Sequence, residues 1–364
     1  MNNIKHEFEI SKEGKRVLPV TYPIITTYTN HAHMLAVLGN NKKTLEWIIS
    51  NYILIYCNKD YAKGQWGDMY FQAPYRVRPY DQCEWLVSDK ISVKYILDAS
   101  ESIINKVIKW IDEGRYIDIM LDYYYISDSI YYNKESFGHD MLIYGYDSLK
   151  KVFYCSDFLF TESHKYTFST ISFDDLENAF AHSINDEKRN YLNDQLYVFQ
   201  CCEDCEFEFD EHNIINSLQF YAESKVPEYW YLYNVINQKE NVYGLDVYDA
   251  VICYLDNIVN EWCYTKIFYM LYDHKHLMIS RLNYLAELKT TYEKYYRDLC
   301  ARYIEYEKVL KNVTFFMVKY NFCKDKNILS DVKSILKELK CQEKESLTQF
   351  FENINSGRSS DDYR

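Results

Sequence analysis

Residues 138–157 read GHDMLIYGYDSLKKVFYCSD, and this stretch decides the fold predicted for the N-terminal half of the chain. An apolar run at 141–144 is followed by a polar turn and by a second apolar run at 152–155. Two such runs joined by a short polar segment predict an antiparallel β-hairpin. His139 begins the first strand and Asp157 ends the second, so both side chains are expected at the same open end of the hairpin.

The pairing of His139 with Asp157 suggests acid–base chemistry. An imidazole that is oriented by a carboxylate forms the base half of a nucleophile–His–acid triad. The residues alone leave an alternative open. In that alternative His139 is a hydrogen-bonded residue at the start of a strand, and Asp157 is a turn residue that accepts backbone N–H groups.

The His–strand–Gly-Tyr-Asp element at 139–147 and the segment TNHAHMLAVLG at 29–39 together resemble a known family. This is the family named for the N-terminal domain of butirosin biosynthesis protein H, which has a papain-like fold. The resemblance covers residues 17–200 and implies an α+β papain-like domain. It also implies natural-product biosynthesis, with transfer of an acyl group from a carrier-protein thioester to an amine. The implied partners are an acyl-carrier protein and a small-molecule or peptide amine.

The sequence departs from the papain-like pattern at the nucleophile. Papain-like enzymes carry a Cys at the start of the first helix, where the helix dipole lowers the thiol pKa, but residues 20–39 contain no Cys. Thr29 offers a hydroxyl at this register, and Asn30 could hold or polarise a carbonyl. Cys155 shares a strand face with Asp157 by alternation, but burial within the sheet would make its thiol unreactive.

Two interpretations of function therefore remain open. The first is an amide-forming acyltransferase that works without a thiolate, with His139 as general base and Asp157 orienting it. The second is a non-catalytic binding or accessory protein of the same fold that has lost its nucleophile. In either case a ligand is expected between the helix start, His139 and five flanking side chains. These are His31, His33, Tyr123, Tyr124 and Tyr125.

Composition limits the partners and the compartment. A net charge of −13 argues against a nucleic-acid partner. The charged stretch 1–16 lacks the apolar core of a secretory signal, and the apolar stretch 47–57 is shorter than the roughly 20 residues that span a bilayer. We therefore expect a cytoplasmic protein without membrane contact. Its 11 scattered Cys are typical of reduced thiols.

No cofactor or metal is expected. The C-x-x-C of Cys202 and Cys205 lacks the two further ligands that a zinc site needs. A Gly-rich phosphate loop is absent from the sequence, which argues against an ATP-driven ligase.

Local patterns predict the order of elements in the first half. Ser100 is the predicted N-cap of a helix that spans 103–111, with Gly114 ending it. Residues 117–125 are predicted to form a strand, and Thr170 or Ser172 to cap a short helix. A last strand is predicted at 196–201.

The second half has helical apolar spacing, with no Pro after Pro227. The predicted organisation is a polar lead-in at 1–16, an α+β domain at 17–205, an all-α bundle at 213–355 and a disordered tail at 356–364. The alternation at 206–210 predicts an exposed edge strand between the domains.

One polar group stands out in the predicted bundle: Asp273, His274, Lys275 and Arg281. It is interpreted as a buried polar cluster that sets helix register. The alternative is a contact to the first domain or a ligand anchor.

Overall fold

The computed structural model describes residues 14–58, 69–71, 80, 83–97, 101–183, 195–202, 204–227 and 241–361. The strands in chain order are β1 Lys15–Val17, β2 Ile55–Asn58, β3 Met69–Phe71, β4 Leu86–Ser92, β5 Tyr116–Asp122, β6 Gly138–Asp147, β7 Val152–Asp157, β8 Thr167–Ser172, β9 Gln195–Cys201 and β10 Asn241–Tyr243. The α-helices are α1 Thr29–Leu38, α2 Thr44–Ser50, α3 Val93–Leu97, α4 Ile103–Asp112, α5 Phe173–Ser183, α6 Glu211–Ala222, α7 Val247–Asn257, α8 Lys266–Glu287, α9 Glu293–Cys323 and α10 Lys326–Asp361.

The chain divides into two compact units. The N-terminal unit comprises Met1–Thr44 and Arg76–Glu206, and the C-terminal unit comprises Leu45–Tyr75 and Phe207–Arg364. The break after residue 206 lies within the predicted junction at 205–213. The segment 45–75, however, belongs to the C-terminal unit, because its strand β2 pairs with β10 and its backbone carbonyls accept hydrogen bonds from side chains of α8.

The N-terminal unit is built on a seven-stranded antiparallel sheet. Its order is β4-β9-β5-β6-β7-β8, and β1 pairs with β6. Helices α1, α4 and α5 pack against its strands. This mixed architecture with an antiparallel sheet and a helical C-terminal region confirms the coarse fold class predicted from the sequence.

The Gly-Tyr-Asp turn of the hairpin has a local structural reason. A Cβ on Gly145 would lie 2.8 Å from the carbonyl oxygen of Arg16 and 2.9 Å from the Cα of Val17, so glycine allows β1 to approach β6. Asp147 accepts a hydrogen bond at 3.0 Å from the backbone N–H of Lys150 and thereby closes the turn.

Strand alternation assigns the key side chains to two different faces of this sheet. In the pairing of β5 with β6, Leu121 lies opposite His139 and Asp118 lies opposite Leu142. Because successive side chains of a strand point to opposite faces, Asp118 and His139 lie on different faces. We call these the Asp118 face and the His139 face.

The helices divide between the two faces. Helix α1 packs on the Asp118 face, where the Nδ1 atom of its His33 lies 3.6 Å from Asp118 Oδ2. Helix α5 packs on the His139 face. There the ring of Phe173 lies 4.5 Å from that of Phe153, which shares its strand face with Asp157.

Three local elements differ from the predictions because short polar side chains end the regular structure. Ser102, rather than Ser100, caps α4, since its hydroxyl accepts from the backbone N–H of Ile104. Strand β5 stops at Asp122, whose carboxylate caps a 3₁₀ turn at Tyr123–Tyr125 where a strand was predicted. Residues 206–210 do not form the predicted strand, and Asp210 caps α6 instead.

Two other helix ends follow the sequence. Gly114 follows α4 with a φ of +81°, and the Ser172 hydroxyl accepts from the N–H of Asp175 at the start of α5.

The C-terminal unit combines helices with a small sheet, so the prediction of an all-α domain is wrong in this respect. Strands β10, β2 and β3 form a three-stranded antiparallel sheet. Two of these strands, β2 and β3, lie in 45–75, so the prediction that this segment belongs to the α+β domain at 17–205 is wrong. Helix α10 continues to Asp361, so 356–361 is helical rather than disordered. Among the described helices, none combines the length and apolarity that crossing a membrane requires.

Candidate functional site

The predicted pair forms at the open end of the β6–β7 hairpin. His139 Nδ1 lies 3.0 Å from Asp157 Oδ2. The imidazole remains 27% exposed, whereas the carboxylate is completely buried. A carboxylate held against Nδ1 favours the tautomer that carries its proton there, and the lone pair of Nε2 can then accept a proton. This is the arrangement of a general base and its orienting acid.

Aromatic rings surround the imidazole. Phe137 stacks at a centroid distance of 5.9 Å from His139, and Tyr123 meets it edge-on at 6.0 Å. Tyr131 in turn stacks on Phe137 at 4.5 Å. Burial and the neighbouring Asp157 raise the pKa of Tyr123 well above its usual value, which keeps the phenol neutral.

The tyrosine cluster predicted to line the ligand site separates in the structure. Tyr123 is buried against His139, whereas Tyr125 stacks on His182 of α5 at 3.9 Å. Tyr124 packs edge-on against Tyr125 at 4.9 Å. The 3₁₀ turn causes this separation, because its three consecutive side chains point in different directions. Phe137 is not among the residues predicted around His139. Its position directly before Gly138, at the start of the strand that carries His139, is the signal that could have identified it.

The helix start and the His139–Asp157 pair do not form the single site that was predicted. Thr29 and Asn30 are half-buried in the first turn of α1, where the Asn30 side chain accepts from the N–H of His31 at 3.1 Å. Helix α1 lies on the Asp118 face, and the pair lies on the His139 face. The sequence pattern of the hairpin does not specify which face of the sheet α1 covers, and a shift of one residue along a strand moves a side chain to the other face.

A second His–Asp pair occupies the Asp118 face. His33 is completely buried beside Asp118, whose carboxylate accepts a hydrogen bond at 2.5 Å from the Tyr80 hydroxyl. The ring of His33 lies 5.8 Å from that of Tyr166, and the Tyr166 hydroxyl is hydrogen-bonded to the Ser156 hydroxyl. With both partners buried, this pair lacks the exposure that a substrate requires. The sequence signal for this pair is Asp118, a single Asp within the otherwise apolar strand segment YIDIML.

Cys155 has the properties expected of an inert thiol. It is completely buried in β7, and burial followed by the nearby Asp157 raises its thiol pKa well above the usual value. A thiol that stays protonated at neutral pH is neither a strong nucleophile nor a metal ligand.

The polar group predicted in the bundle is a buried network. Lys275 Nζ donates to Glu343 Oε1 at 2.6 Å, to the Tyr221 hydroxyl at 2.8 Å and to His274 Nδ1 at 3.1 Å. All three ammonium protons therefore have acceptors. Glu343 also accepts from the hydroxyls of Tyr221, Tyr248 and Tyr303 at 2.9–3.0 Å.

Burial dominates the electrostatics of this network. It lowers the pKa of Lys275, although Glu343 opposes the shift. It also lowers the pKa of His274 well below 6.5, with Lys275 adding to the effect. The His274 ring is accordingly neutral, with Nε2–H donating to the carbonyl oxygen of Ile53 at 2.9 Å.

Arg281 extends the network to the end of α2. The guanidinium is completely buried and donates to the carbonyl oxygens of Ile49 at 2.5 Å and Asn51 at 2.7 Å. Burial lowers its pKa to about 9. Carbonyls at a helix C-terminus carry partial negative charge, which partly compensates this cation.

No protein-family model matches the chain, and no curated protein is significantly similar to it in sequence.

Proposed function

We propose that the N-terminal unit catalyses acyl transfer from a thioester to an amine, with His139 as general base. The observation that carries this proposal is the 3.0 Å contact between a partly exposed imidazole and a completely buried carboxylate. The His–strand–Gly-Tyr-Asp resemblance to the butirosin biosynthesis protein H family supports the papain-like assignment and the choice of an acyl-carrier thioester as donor.

The reaction proposed needs no thiolate on the protein. An acceptor amine attacks the thioester carbonyl carbon while Nε2 of His139 takes the amine proton. As the new C–N bond forms, the C–S bond breaks, and the leaving thiolate receives that proton from the imidazolium. Asp157 stabilises the imidazolium and keeps its orientation.

Direct transfer to the amine fits the nucleophile candidates better than a covalent enzyme intermediate does. Cys155 is buried with a raised pKa, and Thr29 belongs to the helix on the opposite sheet face. The acceptor itself is then the only nucleophile that His139 has to activate.

The test uses an acyl N-acetylcysteamine thioester with a panel of primary amines, and mass spectrometry detects the amide product. We expect His139→Asn to lower the rate by a factor of about 10²–10⁴, the range for loss of a general base. Asn is the informative replacement because its amide can still donate to Asp157 without accepting a proton.

His164→Asn is the matched control, because His164 is an exposed histidine of the same unit. Its rate should equal that of the wild type. Equal rates for both variants would reject His139 as the general base. A wild-type rate no greater than the uncatalysed one would reject catalysis. That result would favour the second candidate, a binding or accessory protein, for which the observation in favour is the inert Cys155.

A further inference from the structure

Helix α9 carries a second, solvent-facing stripe in addition to the face that it buries. Its buried face includes Tyr303, Leu310 and Met317, which lie in the core of the C-terminal unit. The stripe on the opposite side, called the outer stripe, consists of Ile304, Lys308, Lys311, Phe315, Val318 and Phe322.

Large apolar side chains of the outer stripe are open to solvent. Ile304 is 37% exposed, Phe315 is 59% exposed and Phe322 is 82% exposed. Phe316, next to the stripe, is also exposed. Several exposed aromatic side chains along one helix line are typical of a surface that another molecule covers.

The spacing of the outer stripe points to a helix as the covering element. Its members follow one another at intervals of four, three, four, three and four residues. This is the alternation of the a and d positions of a heptad, which face a partner helix in a coiled coil. At 1.5 Å per residue the stripe is about 27 Å long, enough to contact several turns of a second helix.

The charge of the stripe defines the partner further. Residues 308–324 contain Lys308, Lys311, Lys319 and Lys324 and no acidic residue, in a chain whose net charge is −13. Lys308 is paired with Glu305 of its own helix, but Lys311 and Lys319 point to solvent beside the phenylalanines. Opposite charges along the flanks of a helix pair select the partner.

A second copy of this chain fits the stripe poorly. In a parallel pair of α9 helices, Lys308 and Lys311 would face their own counterparts. In an antiparallel pair, the same lysines would face Val318 and Phe315 with no carboxylate opposite. Either arrangement places the ammonium group of Lys311 in a contact where the facing helix offers no counter-charge, which is unfavourable.

We propose that the outer stripe of α9 is a docking surface for an acidic amphipathic helix of another protein. The partner's apolar side chains pack around Phe315, Val318 and Phe322. Its carboxylates pair with Lys308, Lys311 and Lys319. This proposal rests on the C-terminal unit alone and is independent of the acyl-transfer proposal.

The test uses a fluorescein-labelled helical peptide with Leu at its a and d positions and Glu at its e and g positions. A matched peptide carries Lys in place of every Glu. Fluorescence anisotropy with the full chain should show that the acidic peptide binds at least about tenfold more tightly. Its affinity should fall as salt is raised, because ion pairs at a surface are screened.

The double variant Phe315→Ser/Phe322→Ser should weaken binding of the acidic peptide by at least about tenfold, as expected when central aromatic contacts are removed. Leu149→Ser is the control, because Leu149 is 87% exposed in the N-terminal unit and far from α9 in sequence. Circular dichroism checks that both variants are folded, which exposed positions should permit.

Four outcomes would overturn the proposal. Equal affinities of the two peptides, or no binding of either, would remove the acidic helix as occupant. A dimer in analytical ultracentrifugation that the double variant dissociates would assign the stripe to a second copy. Sedimentation with phosphatidylserine-containing vesicles that the double variant abolishes would assign it to a membrane surface.

Discussion

Each unit contains a buried carboxylate with a basic partner, but the two partners have different access to solvent. In the N-terminal unit, Asp157 is completely buried and its partner His139 remains 27% exposed. In the C-terminal unit, Glu343 and its partner Lys275 are both completely buried. All three Lys275 protons are donated to protein acceptors, whereas part of the His139 side chain is exposed to solvent.

The difference separates a reactive arrangement from a structural one. A base can take a proton from a substrate only if the substrate reaches it, so exposure of His139 is required for chemistry. A buried ion pair with every hydrogen bond satisfied instead fixes how its helices pack, and it is costly to break. We therefore interpret the first pair as functional and the second as structural.

The largest expected loss of stability comes from breaking the completely buried Lys275–Glu343 pair. Lys275→Met would leave the Glu343 carboxylate buried without its cation, which costs about 3–5 kcal/mol of unfolding free energy. Urea unfolding followed by circular dichroism measures this loss. The control is Lys308→Met, which removes an exposed pair with Glu305 and should cost below about 1 kcal/mol. Similar losses for the two variants would refute the structural interpretation.

The next effect is a pH dependence of the same network. Burial lowers the pKa of His274 well below 6.5, so the unfolded chain binds a proton near pH 6.5 and the folded protein does not. Above about pH 6.5, His274 therefore does not affect the unfolding free energy. At lower pH, between pH 6.5 and 5, the unfolding free energy decreases, because the unfolded chain takes up a proton at His274 that the folded protein does not bind.

His274→Gln isolates this contribution, because the amide of Gln can still donate to the carbonyl oxygen of Ile53 but does not titrate. Its urea midpoint should fall less steeply than that of the wild type between pH 6.5 and 5. Parallel pH profiles for the two proteins would show that His274 is not held neutral.

The smallest expected effect on stability comes from changing the partly exposed His139–Asp157 pair. His139→Asn removes a partly exposed ring and preserves a donor to Asp157, so the unfolding free energy should change by about 1 kcal/mol or less. The same urea titrations measure it. A loss as large as that for Lys275→Met would make His139 a structural residue and erase the contrast between the two pairs.

The local sequence pattern of the hairpin is sufficient to predict the His139–Asp157 pair. Strand period, a polar turn and Gly145 placed His139 and Asp157 at one open end, and their contact follows from adjacent antiparallel strands. The buried character of His274, Lys275 and Arg281 was also predictable from their positions on an apolar helix.

The partners of those buried groups could not be predicted in the same way. Glu343, Tyr221 and Tyr303 lie 68, 54 and 28 residues from Lys275 in sequence, and no local pattern relates helices that far apart. Likewise, the carbonyl oxygens of Ile49 and Ile53 accept hydrogen bonds from side chains of α8 that lie more than 200 residues later in the sequence.

By itself, the sequence determined the elements whose geometry depends on neighbours a few residues away: the hairpin, the helix caps at Ser172 and Gly114, and the His139–Asp157 pair. The tertiary structure alone decided which sheet face α1 covers and which unit holds 45–75. It also decided which tyrosines surround Lys275. Strand and helix periods specify the direction of a side chain relative to its own element, whereas the identity of the opposing element depends on how the whole core packs.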